Sequence, residues 1–316
     1  MALRNSLFAV SGKASFLDAR RDMSGLFVCD KTTMLPIAGI LDRSQDNLVT
    51  GRGDSMSVTV HPFNAVLNRY GALLIQNDGN VSVPLDAAPS ANSRIDVVYV
   101  KQSETRPPMS DGSDVPEFFV AKGVAAATPV APGVPAGGLA LAQVLVPAGV
   151  SNTAASGVVI TQTYIGAAMK GDMLRVRTSA QRDALTMVPD GTLLHNVADG
   201  CDYVRKGGKW CGWNMPWTDI HLGANQAHMW ASNGVGYVDL VTASINLTGW
   251  GSAVNVGQVS NSAFYPVIDE GLYASTRDSY FPTSAVVRAG GAVRIEYAGG
   301  PTGNRVVSTI FSYNIG

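Results

Sequence analysis

Charge is scarce in this chain: only 15% of its 316 residues are Asp, Glu, Lys or Arg, and the formal net charge is −1. The Lys and Arg residues are scattered, so the basic patch that marks nucleic-acid or anionic-membrane binding is missing. Long apolar runs are missing too. The longest, residues 139–146, is interrupted by Gln143 and closed by Pro147, far short of the roughly 20 residues that span a bilayer. The four apolar residues 7–10 fall below the roughly 7–15 of a secretion-signal core. Neither a signal peptide nor membrane insertion is expected. No P-loop, Gly-x-Ser-x-Gly elbow or His-Glu-x-x-His occurs, so phosphate binding, serine hydrolysis and zinc proteolysis lack their usual sequence supports.

Cysteine is sparse as well. Cys29 lies far in sequence from Cys201 and Cys211. In CDYVRKGGKWCGW a hairpin turning at Gly207 and Gly208 pairs Val204 with Cys211 and leaves Cys201 three positions on, facing the other way. A bridge needs Cα atoms about 4.4–6.8 Å apart, so no disulfide is expected. His195, Cys201, Cys211, His221 and His228 have no finger-like spacing, so neither a metal nor any other cofactor is predicted.

Helical periodicity is confined to residues 179–185, where Ser179 is the expected cap. What remains reads as β. Short strands bounded by turn residues are predicted at 57–60, 72–76, 80–84, 95–100, 118–121, 139–146 and 158–162, with Asn77-Asp78-Gly79 closing a hairpin. Seven such strands suggest a sandwich, and 316 residues suggest two or three domains. Farther on, Val241, Ala243, Ile245 and Leu247 are predicted to face one way, opposite Thr242, Ser244 and Asn246. Val293, Ile295 and Tyr297 alternate with Arg294 and Glu296 in the same fashion. In the final RVVSTIFSYNIG, Val307, Phe311, Tyr313 and Ile315 share a face while Val306 and Ile310 load the other, which calls for cover on both sides and predicts a symmetric oligomer.

Within residues 92–150, Arg94-Ile95-Asp96 opens an apolar strand, a polar hairpin follows, a second strand ends in Lys122-Gly123, and a Pro-rich turn leads to a third strand. This order resembles a module of phage tail and baseplate proteins. Residues 1–28, 48–67 and 71–90 resemble, in order, the start of minor tail proteins of phages infecting actinobacteria, so the resemblance covers about the first half of the chain. Residues 166–215 carry Ser179-x-x-Arg182-Asp183 and end in Gly207-Gly208-x-Trp210, similar to a neck module that precedes the head of phage fibres. The resemblance implies an all-β protein in three parts. These are an N-terminal β-sandwich (1–165) for attachment to the baseplate, a connector with a small helix and hairpin (166–215), and a jelly-roll-like β-sandwich head (216–316). It also implies a virion protein of the tail tip, a receptor-binding tail fibre made in the host cytoplasm, with other tail-tip proteins as partners and a homotrimeric state.

The final third concentrates Trp213, Trp217, Trp230, Trp250, Tyr265, Tyr273, Tyr280 and Phe281, several of them in Gly/Asn/Ser-rich stretches. A sugar's C–H face stacks on an aromatic ring while Asp, Asn, Glu and Arg hold its hydroxyls. Residues 264–281 are therefore the first candidate binding loop, with Trp250, Tyr265, Asp269, Glu270, Tyr273, Arg277, Asp278 and Tyr280 as ligand-binding residues for a host cell-wall polysaccharide. Two rivals stand beside this non-enzymatic reading. One is a polysaccharide depolymerase working through carboxylates such as Asp269 and Glu270. The other is a purely architectural baseplate subunit. The tripeptide Arg52-Gly53-Asp54 reads as an ordinary turn.

Overall fold

The computed structural model describes residues 15–41, 46–275, 282–297 and 302–316, with backbone only for 272–275 and 282. Of the described residues, 47% lie in strands and 6% in helices, which places the chain in the all-β, sandwich-like class. Among the described residues no helix is long and apolar enough to cross a membrane. The chain divides into two compact units, one of Met1–Arg177 with Met187–Pro189 and the other of Thr178–Thr186 with Asp190–Gly316.

The first described element of the N-terminal unit is a helix not predicted from the sequence, α1 (Phe16–Ser24), which is short and polar on average. It is fixed by a capping box in which Ser15 and Asp18 satisfy each other's backbone N–H. The strands are β1 (Gly39–Ile40), β2 (Val49–Gly51), β3 (Ser57–Val60), β4 (Phe63–Asn68), β5 (Ala72–Asn77) and β6 (Val81–Pro84). There follow β7 (Arg94–Gln102), β8 (Pro116–Ala121), β9 (Gly138–Val146), β10 (Val159–Gln162) and β11 (Leu174–Val176). Strands β1 to β10 form sheets ordered β1-β4-β5, β2-β3-β6 and β10-β9-β7-β8 around one core in which Val58, Val60, Leu67, Leu141, Val144 and Val146 are fully buried. The side-chain amide of Gln162 both donates to and accepts from the backbone of Val49 (2.7 and 3.1 Å), joining the edge of one sheet to the edge of another.

The predicted hairpin over 72–84 is corrected. β5 pairs with β4 and β6 pairs with β3, so no ladder joins β5 to β6. One long hairpin, 57–68 against 72–84, turns at Tyr70-Gly71, both at positive φ, and bends where each arm passes from one sheet to the other. Asn77-Asp78-Gly79 forms that bend. The Asn77 amide donates to the carbonyls of His61 and Gly79 (2.9 and 2.8 Å), and His61 contacts Thr50 and Asn80.

The Arg94-Ile95-Asp96 and Lys122-Gly123 motifs are physically linked. Asp96 is fully buried and Arg94 nearly so; the guanidinium Nε lies 3.0 Å from both carboxylate oxygens. Arg94 also donates to the carbonyls of Asp86 and Ala87 (2.6 Å each), and Asp96 accepts from the Gly123 N–H (2.9 Å). A Cβ at Gly123 would sit 2.1 Å from the Ile95 carbonyl oxygen, so only glycine allows that approach.

A second ionic cluster joins Arg20 and Arg69 to Glu104, and Arg69 and Lys101 to Asp111. Lys101, the backbone N–H of Glu104 and Arg69 hold the Asp111 carboxyl down to about 2. The unfolded chain's Asp titrates near pH 4, so the stability this carboxyl supplies is full above about pH 4 and is lost as pH falls towards 2. Acid unfolding of this unit, followed by circular dichroism between about pH 4 and 2, is expected to flatten in Asp111→Asn.

The C-terminal unit begins with α2 (Ser179–Ala184), capped by Thr178 rather than the expected Ser179: the Thr178 hydroxyl accepts from Gln181 N–H (3.2 Å). Then come β12 (Leu193–Asn196), β13 (Cys201–Lys206), β14 (Lys209–Asp219), β15 (Gln226–Ser232), β16 (Val235–Val241), β17 (Ile245–Leu247) and β18 (Ala253–Gln258). The last are β19 (Glu270–Ser275), β20 (Pro282–Val287), β21 (Ala292–Tyr297), β22 (Gly303–Arg305) and β23 (Ser308–Asn314). The β13–β14 hairpin has the predicted register, Val204 opposite Cys211 and Arg205 opposite Trp210, and Asp190 binds both turn N–H groups at Gly207 and Gly208. All three cysteines are free thiols, and burial pushes Cys201 up to about 12. Because β14 runs unbroken through residue 215, the expected connector continues directly into the first strand of the head.

The last eight strands pair in nested fashion: β16 with β23, β17 with β22, β18 with β21 and β19 with β20. That is the hairpin plan of a jelly roll. It departs from the usual wrapping in that β20 also pairs with β21, giving one sheet β18-β21-β20-β19 against the sheet β12-β13-β14-β15-β16-β23. Val293, Ile295 and Tyr297 are buried and their neighbours are not, as their alternation predicts. The alternation over 241–247 holds only for Ile245 and Leu247. Upstream, Gly236, Val238 and Leu240 face the core, and buried Thr242 accepts from Val307 N–H (2.8 Å), which resets the pattern. In β23, Phe311 and Tyr313 face the core with Val307 and Ile315, while Ile310 stands 65% exposed on the other face.

Candidate functional site

The turn Asn233-Gly234, both at positive φ, fixes the β15–β16 hairpin so that Trp230 lies opposite Tyr237 and His228 opposite Asp239. Strand β14 reaches the same sheet face through a bulge. Met215 pairs with Ala231 and Thr218 with Met229, so Pro216 and Trp217 together oppose Trp230. Proline is tolerated there because a bulge leaves its position outside the ladder. The face away from the core thus carries two adjacent cross-strand rows. One holds Trp217, Trp230, Tyr237 and Ser312; the other holds Asp219, His228, Asp239 and Ile310.

The aromatic row is a column of nearly parallel rings. Trp217 stacks on Trp230 (centroids 5.0 Å, 22°) and on His228 (4.8 Å, 23°), and Trp230 stacks on Tyr237 (5.2 Å, 8°). The spacing follows the separation of neighbouring strands. Trp230 is covered on both faces by its neighbours. The ends of the column are Trp217, 56% exposed, and Tyr237, opposite the small Ser312. Cross-strand aromatic pairs stabilise a sheet by roughly 0.2–1 kcal/mol each, which accounts for the stack; it does not account for an indole left more than half in water at its end. Beside it, His221 Nδ1 lies 2.5 Å from Asp219, and the side chain and backbone N–H of His221 hold the Asp219 carboxyl below its ordinary range.

Of the residues singled out from sequence, Tyr265, Asp269 and Glu270 lie at one end of the sheet β18-β21-β20-β19 and Trp250 lies at the other. Trp250 is 82% exposed between β17 and β18, at the end of the sheet where Ala253 pairs with Glu296 and Ser275 with Pro282. Asp269 and Glu270 lie at the other end, where Glu270 pairs with Val287, and β19 between the ends is about 17 Å long. Within the candidate binding loop 264–281, Phe264 closes a 3-10 turn (Ser262–Phe264) with its ring fully buried, residues 270–275 form β19, and residues 276–281 lie outside the described residues. Asp269 accepts from Ala289 N–H (2.8 Å) and contacts Arg288, which together lower its carboxyl. Glu270 accepts from the Asn314 backbone N–H (2.7 Å) and side-chain amide, tying β19 to β23. The Tyr265 ring packs where a Cβ at Gly291 would be. The side chain of Tyr273, and Arg277, Asp278 and Tyr280, lie outside the described residues.

Arg52 and Asp54 of the Arg-Gly-Asp tripeptide bind each other (3.0 and 2.6 Å), and the Arg52 N–H donates to Thr153. His195 contacts Asp202 (2.7 Å), and among the described residues no three His, Cys, Asp or Glu side chains assemble into a metal site. Compared with known proteins, the chain matches no family model, and no curated protein matches it.

Proposed function

We propose that the C-terminal unit is a glycan-binding head and that the chain is a non-enzymatic tail-tip protein of a phage infecting actinobacteria, attached to the baseplate through its N-terminal unit. The tail assignment rests on the resemblance of the first half of the chain to minor tail proteins. The binding assignment rests on one observation, the Trp217–Trp230–Tyr237 column with its open indole. The surroundings favour sugar over nucleic acid, because single-strand binders pair stacking rings with a basic groove and here the neighbours are Asp219 and Asp239. The depolymerase alternative loses support where Asp269 and Glu270 are occupied in holding Ala289, Arg288 and Asn314.

Fluorescently labelled full-length protein is expected to bind intact actinobacterial cells and not cells stripped of wall polysaccharide. Trp217→Ala is expected to weaken that binding about tenfold per head, and by more when several heads engage at once. Equal binding by the variant would remove the column from the mechanism. Equal binding to stripped cells would favour the architectural alternative.

A further inference from the structure

We propose that this face selects a hydroxyl-rich glycan free of phosphate and carboxylate groups; the proposal rests on the glycan-binding reading above. The row Asp219, His228, Asp239 and Ile310 runs beside the aromatic column, at the spacing of about 6.6–6.8 Å between residues i and i+2 of a strand. A sugar resting on the open face of Trp217 therefore has the Asp219 carboxylate, two residues along the same strand, within reach of its hydroxyls, while His228 lies against the other face of the indole. Asp219 is half exposed and, with His221 beside it, stays ionised well below neutral pH. Carboxylates accept hydrogen bonds from hydroxyls and offer an anionic group only repulsion.

No Lys or Arg comes from the strand segments that carry the two rows, residues 216–219, β15, β16 and β23. A phosphate or carboxylate on the ligand about 5–6 Å from Asp219 would be disfavoured roughly three- to fourfold even in water-like surroundings, and Asp239, two strands away, adds to the same negative field. The exposed Ile310 at the end of the acidic row adds an apolar rather than a charged boundary.

The test uses full-length protein and actinobacterial wall polysaccharide separated by anion exchange into an unretained, neutral pool and a retained pool bearing phosphate or carboxylate. Binding is expected to the neutral pool about three- to fourfold more tightly than to the retained pool, and Trp217→Ala is expected to lose it. Asp219→Asn with Asp239→Asn is expected to narrow this preference while leaving the thermal transition in place. Equal or tighter binding to the retained pool, still abolished by Trp217→Ala, overturns the selectivity and keeps the glycan reading. Binding to neither pool, or binding indifferent to Trp217, overturns the glycan reading itself. A change of solution mass in Trp217→Ala shows the face to be covered by a second copy of the chain, and overturns both.

Discussion

Asp96→Ala lowers the stability of the N-terminal unit by about 3–5 kcal/mol, the cost of leaving a buried charge without its partner. Arg94 is 2% exposed and Asp96 fully buried, so neither water nor another acid can replace the lost carboxylate without opening the core. The loss also strands the Gly123 N–H that Asp96 accepts. Asp96→Asn keeps an acceptor for Gly123 but not the charge, and is expected to fall between wild type and alanine. Removing both charges, as in Arg94→Met with Asp96→Leu, is expected to recover part of the loss, because no buried charge is left unpaired and the carbonyls of the exposed residues Asp86 and Ala87 can bond water in place of Arg94. Calorimetry reads all three. The transition of the N-terminal unit moves and that of the C-terminal unit stays; a single transition that moves as a whole would contradict independent folding of the two units.

Tyr313→Ala has the corresponding effect on the C-terminal unit, about 3–5 kcal/mol for a large aromatic removed from a closed core. Tyr313 is 2% exposed; its ring occupies the space a Cβ at Gly236 would need, and its O–H donates to the Phe264 carbonyl (2.8 Å). Tyr313→Phe keeps the ring and removes only that bond, so it costs about 1–3 kcal/mol, read by urea titration of tryptophan fluorescence. Burial raises the Tyr313 phenol above its ordinary value. An acid whose proton is held more tightly in the folded state gives stability that is full below about pH 10 and declines as pH rises past it. Tyr313→Phe is therefore expected to lessen the alkaline loss of stability.

Much of the fold was legible because turn chemistry fixes register. Gly207-Gly208 placed Val204 opposite Cys211, and seven of the N-terminal strands announced themselves by β-branched runs between turn residues. The long bent hairpin was not legible. Asn64 and Asn68 break the strand signal of β4, and Asn77-Asp78-Gly79 looks like a hairpin turn whether the chain reverses there or bends. The candidate site was legible in a different place from the one chosen. His228-x-Trp230 and Tyr237-x-Asp239 alternate with Ala227, Met229, Val238 and Leu240 on either side of Asn233-Gly234, so the opposition of Trp230 and Tyr237 could have been counted. The Pro216 bulge that brings Trp217 alongside could not, since one extra residue reverses the expected face. The hydrogen bonds of Asp269 to Ala289 N–H and of Glu270 to Asn314 N–H have no sequence signal, because a carboxylate that binds a backbone N–H across the sheet is indistinguishable in sequence from one that awaits a ligand.

The nested pairing of β16 to β23 also sets an order of assembly. Closing β16 directly on β23 would enclose residues 242–307 in one loop, an entropic cost of about 4 kcal/mol plus a constant. Starting from the β19–β20 hairpin and zipping outward divides that closure into short steps, each shortening the next. The final step is the docking of β23, which gives β16 its second neighbour and sets Ser312 beside Tyr237. The Trp217–Trp230–Tyr237 column, carried by the consecutive strands β14, β15 and β16, needs none of these closures, so the face is assembled locally and only its border at Ser312 and Ile310 waits for the last strand.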